Sequence, residues 1–143
     1  MNEKEGLKIE GVIASLCLFG LGLLTSERGM FWIVESSEVV KDSDLYLALH
    51  QVFPLSIWGV FFFLSGVCLI LGSVFLPTIN HSKKAAFFIM IGGLISSVFY
   101  FIMATVGVYN ALNWLSWVQY LTFWAITGSL AFIGGSYLWQ KKK

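Results

Sequence analysis

The chain has 143 residues, of which 57% are hydrophobic, 17% aromatic and 12% charged, with a formal net charge of +1. A soluble domain carries about 25% charged residues, so a water-solvated globule is excluded. No charge lies between Asp44 and Lys83, nor between Lys84 and Lys141, and windows of that length are solvated by lipid.

The reading is an all-α membrane protein, one domain over residues 1–143, with four transmembrane helices in a compact bundle. The first span is expected at about 7–24. Its apolar heart, 11–24, also fits the length of a signal-peptide core. Thr25-Ser26-Glu27-Arg28 offers no A-x-A cleavage site, and Cys17 follows Leu16, where a lipoprotein box needs a small residue. A retained helix is therefore expected, with Lys8 and Glu10 at the interface.

An outer loop is expected over 25–53. Met30-Phe31-Trp32-Ile33-Val34 would dip into the headgroups, with Trp32 as the amphipathic anchor. Glu35, Glu38, Asp42 and Asp44 form its polar apex, and with Trp32 they are the candidate contact residues for a partner. Asp42-Ser43-Asp44 supplies an N-cap and first-turn acids for a short amphipathic helix ending near Phe53. Leu45, Leu49, Val52 and Phe53 give it an apolar stripe at helical spacing.

The second span, 54–76, starts at Pro54, a residue tolerated in a helix's first turn, and stops at Pro77 and Asn80-His81-Ser82. The third covers 85–108 and a tight turn follows over 109–113. The fourth, 114–139, runs into the lysine tail. Tyr109, Trp114, Trp117 and Tyr120 suit an outer aromatic belt, Tyr137 and Trp139 an inner one. Lys4, Lys8, Lys83, Lys84, Lys141, Lys142 and Lys143 set against Arg28 and Lys41 predict both termini inside, in a bacterial or host-cell cytoplasmic membrane.

Burying leucine gives no drive toward association in lipid, so small residues and hydrogen bonds must hold the helices. Gly93, Ser97, Tyr100, Ala104 and Gly107 make a heptad-like seam on the third span. Thr127, Ala131, Gly134 and Gly135 make a small-residue face on the fourth. Gln119, Thr122, Ser129 and Ser136 fall within about 100° of arc beside it, a candidate polar face toward water or a second copy. Ser65-Gly66 with Gly72-Ser73 echoes Thr127-Gly128 with Gly134-Gly135.

Chemistry is sparse. Coupled transport needs ionisable groups near the midplane, and the last three spans carry none. Cys17 and Cys68 form no CxxC, and His50 and His81 fall in opposite loops without a zinc pattern. No hydrolase, metalloprotease, nucleotide or dinucleotide motif occurs. The expectation is no catalytic residue, no metal and no cofactor. Lipids, a membrane or extracellular protein, or further copies of the chain would be its partners, and nucleic acid would not. The lysine tail suits anionic lipid.

Two functional classes follow: a non-catalytic anchor, accessory or exclusion component acting through the outer loop, or a pore built by several copies. A small channel or lipid-handling protein is a third. Small size, uncharged spans and a basic tail resemble phage holins, which implies release of lytic enzymes through the cytoplasmic membrane. Ser43-x-x-Tyr46-x-x-Leu49 with Pro54-x-x-x-Trp58-Gly59 is similar to segments in small multi-span membrane proteins of tailed phages. Four spans exceed the one to three usual in holins, and no second methionine stands near the start. The resemblance assigns no residue a role.

Overall fold

The computed structural model describes residues 9–78, 83–110 and 113–141. Among these, helices run in the order α1 (Ile9–Val34), α2 (Ser36–Asp42), α3 (Asp44–Val52), α4 (Leu55–Phe75), α5 (Lys84–Asn110) and α6 (Trp114–Gln140). A 3-10 turn, Leu76–Thr78, follows α4, and no strand occurs among the described residues. Helices α1, α4, α5 and α6 are long and apolar enough to cross a membrane. Lys4, Lys8, Asn80-His81-Ser82, the middle of the 109–113 turn, Lys142, Lys143 and the Asp42 side chain lie outside the described residues.

The largest departure from the sequence reading is in α1. The first helix does not end at residue 24: it runs for 26 residues to Val34, through about a third of the segment expected as loop. Hydropathy falls at Thr25-Ser26-Glu27-Arg28, but nothing there breaks a helix. Thr25 turns its hydroxyl back onto the Leu21 carbonyl at 2.9 Å, and Glu and Arg are good helix formers. The chain bends only at Glu35, whose N–H still bonds the Phe31 carbonyl and whose carbonyl receives the Val39 N–H.

The four long helices pack in series, α1 on α4, α4 on α5 and α5 on α6, while α1 and α6 share no comparable seam. Glycines set each contact, because without a Cβ two backbones approach within van der Waals range. On α1, Leu18, Gly22, Thr25, Gly29 and Trp32 are buried at heptad spacing. A Cβ on Gly66 would stand 2.6 Å from the Gly22 carbonyl oxygen, and one on Gly29 2.6 Å from that of Gly59. Helix α5 is gripped on two sides: Gly92 lies against the Ser65 carbonyl, and Gly93 against that of Thr127.

The echoed glycines Gly72 and Gly134 both press on α5, the first at Ile89 and the second at Ala86 and Met90. Their common spacing thus matches two helices docked on neighbouring faces of α5, which its consecutive residues Ile89 and Met90 present about 100° apart.

The segment between α1 and α4 is pinned over the bundle. Val39 of α2 and Leu45 and Leu49 of α3 are buried with Trp32, Leu55, Trp58 and Phe62. Trp58 donates its indole N–H to the carbonyls of Leu49, at 3.2 Å, and Phe53, at 3.1 Å. Those groups close the C-terminus of α3, where carbonyls lack intrahelical partners. At the next helix start, His50 Nδ1 accepts the Leu55 N–H at 3.2 Å. Ser43 occupies the N-cap position of α3 but makes no side-chain cap bond. Of the expected stripe, Val52 and Phe53 are exposed.

Candidate functional site

Extending α1 carries one ionisable side chain, Arg28, into the bundle, while its neighbour Glu27 stays exposed. Counting antiparallel from the Gly29–Gly59 contact sets Arg28 level with Val60. That is five residues, or about 7.5 Å, along α4 from its first residue. Helix α4 has 21 residues, about 32 Å, which matches the roughly 30 Å hydrocarbon slab. A crossing α4 therefore places Arg28 below the rim of that slab. Side chains lean toward a helix's own N-terminus, and for α1 that direction is inward.

Two aromatic rings receive the guanidinium. Its carbon lies 5.2 Å from the Tyr120 ring centroid and 5.7 Å from that of Tyr100, inside the range of cation–π attraction. Arg28 is half-buried, and its Nη1 is fully buried with no hydrogen-bond partner. Glu27, next in the chain, is exposed on another side of α1. No ion pair joins them.

The walls of the site are fixed by packing. Tyr100, buried on α5, stacks on Phe123 at 5.1 Å and meets Phe62 edge-on at 4.9 Å. Its hydroxyl lies 3.4 Å from Thr25 Oγ1. Since the Thr25 proton points to Leu21, Tyr100 is the donor in that contact. Tyr46 of α3 packs edge-on to Trp32 at 5.8 Å and stands beside Tyr120. The result is one cation framed by the phenol rings of two helices, α5 and α6, with hydrogen-bonding capacity unspent.

The residues singled out from sequence separate into groups. Gly93, Ser97, Tyr100, Ala104 and Gly107 are all buried on α5. Thr127 and Gly134 are buried on α6, while Ala131 and Gly135 are half-buried. Gln119, Thr122 and Ser129 point outward and Ser136 is half-buried. The Thr122 and Ser129 hydroxyls donate to their own helix, to the carbonyls of Val118 at 3.0 Å and Ala125 at 2.8 Å, which satisfies them without a neighbour.

Glu35, Glu38 and Asp44 are exposed. Trp32 is no headgroup anchor: it is 1% exposed and packs on Phe62 at 5.2 Å, because its position continues the α1 heptad. Its ring therefore lies beneath the surface that Glu35, Glu38 and Asp44 present.

From sequence, Arg28 falls in the outer loop expected over 25–53. The heptad through Gly22 and Gly29, repeated by Gly59 and Gly66, is the signal that draws it inside. No group of three His, Cys, Asp or Glu able to hold a metal gathers among the described residues. Comparison with family models, curated proteins and solved structures finds no match to this chain.

Proposed function

We propose that the chain is a non-catalytic integral protein of a cytoplasmic membrane, with both termini inside, acting as an anchor, accessory or exclusion component through its α2–α3 end. The observation that carries this reading is the mounting of that end. A plain connector needs no fixed shape, yet Leu45 and Leu49 are buried and Trp58 bonds two carbonyls at the end of α3. On this frame Glu35, Glu38 and Asp44 face outward, and Lys41 is paired with Glu38 at 3.2 Å on the exposed surface. A preorganised surface binds without the cost of ordering a loop, and this one favours a cationic partner.

The test replaces Glu35, Glu38 and Asp44 together by lysine in the source cells and follows native complexes by size. The variant should insert normally and migrate as the isolated chain. A complex of unchanged size contradicts the reading.

The pore reading has one observation in its favour, the outward Gln119, Thr122 and Ser129 on α6, which several copies could turn toward a shared lumen. Membrane potential during strong expression separates the two. The accessory reading expects the potential to hold; abrupt collapse, with several copies per particle in a lipid disc, favours the pore.

A further inference from the structure

We propose that Arg28, with Tyr100 and Tyr120, is a binding site for the phosphate of an anionic lipid entering between α1 and α6. An ionisable group at bilayer depth costs several kcal/mol by most estimates and is retained where it has a task. Arg28 has the depth and lacks the usual compensation: among the described residues no carboxylate pairs with it, and its buried Nη1 has no acceptor. The two rings attract the cation at 5.2 and 5.7 Å but accept no hydrogen bonds in their planes. A guanidinium presents a planar fork of donors that matches the oxygens of a phosphate. Tyr120, whose hydroxyl is hydrogen-bonded with that of Tyr46, adds a polar group next to the guanidinium.

The location selects a lipid as the source of that phosphate. Helices α1 and α6 are the least buried spans, with 22% and 11% of their apolar windows covered against 44% for α4 and α5. They also lack an extended mutual seam, so the Arg28 side of the bundle opens sideways into lipid. An amphiphile can lie along the exposed faces of Leu24, Phe31 and Leu121 while its headgroup drops to the guanidinium. This site is independent of the acidic α2–α3 surface, and either can fail alone.

The experiment titrates the full chain in detergent with dioleoyl phosphatidylglycerol, with diacylglycerol of the same chains, and with inorganic phosphate, and reads adducts by native mass spectrometry. One phosphatidylglycerol should be held at least about tenfold more tightly than diacylglycerol, the scale of one charge-assisted hydrogen bond. Arg28→Gln should lose that preference, and Glu27→Gln, at the same depth on the outer side of α1, should keep it. Arg28→Lys preserves the charge without the fork and should bind at intermediate strength, which covers failure of Arg28→Gln to fold. Equal retention by Arg28→Gln and the native chain overturns the proposal, as does no preference in the native chain. Displacement of the lipid by millimolar inorganic phosphate also overturns it, because the ligand would then be a soluble oxyanion.

Discussion

Gly29 and Gly59 meet backbone to backbone: a Cβ on Gly29 would stand 2.6 Å from the Gly59 carbonyl oxygen, and one on Gly59 2.7 Å from that of Gly29. Neither obstacle is a side chain that can swing aside. Gly29→Ala or Gly59→Ala should therefore force α1 off α4 and cost about 1–3 kcal/mol or more. Gly20 has nothing within 4 Å of the same position, so Gly20→Ala should be neutral or gain up to about 1 kcal/mol from helix propensity. Reversible unfolding in mixed micelles checks the contrast. Equal effects at Gly20 and Gly29 would show that the seam is not close-packed.

The serine pair between α4 and α5 has a direction. Ser96 donates to Ser65 at 2.9 Å, and Ser65 passes its own proton to the Phe62 carbonyl at 3.0 Å. Ser96→Ala removes one bond and leaves no stranded donor, so it should cost less than about 1 kcal/mol. Ser65→Ala leaves the buried Ser96 donor without that acceptor and should cost more, about 1–2 kcal/mol. The double variant should cost less than the sum. Strict additivity would mean that the two hydroxyls are independent.

Trp58 holds α3 by its N–H as well as by its ring. Trp58→Phe keeps an aromatic ring against Phe99, now 5.1 Å away, and deletes both bonds to the end of α3. Amide exchange over α3 should rise about tenfold, the effect of roughly 1.4 kcal/mol of local stability. The α5–α6 seam should stay unchanged. Trp114, 69% exposed, gives the control: Trp114→Phe should leave α3 as it was. A Trp58→Phe protein with native exchange at α3 would remove the pinned mounting from the account.

Some of this fold was legible because its signals are local. The charge-silent windows locate the last three long helices, and the glycine, serine and alanine line on α5 points to residues that are buried. The length of α1 was not legible from hydropathy, which reports solvation and not helix termination. Thr25 satisfies its hydroxyl on Leu21, and Glu27 and Arg28 are good helix formers, so the polar run does not end the helix. Trp32 misled for a related reason: an indole suits both a headgroup layer and a packed core. The Arg28 site needed three helices in register, since Tyr100 and Tyr120 lie far from it in sequence and belong to a seam and a belt when read alone.

Continuity of α1 through Arg28 is the claim on which the membrane-depth argument rests, and amide hydrogen exchange over residues 25–32 in a lipid disc tests it most directly. A helix packed on α4 inside the bundle predicts strong protection there, comparable with residues 59–66 of α4. Exchange at the rate of an open loop, with protection ending near residue 24, would return Arg28 to solvent and contradict the account.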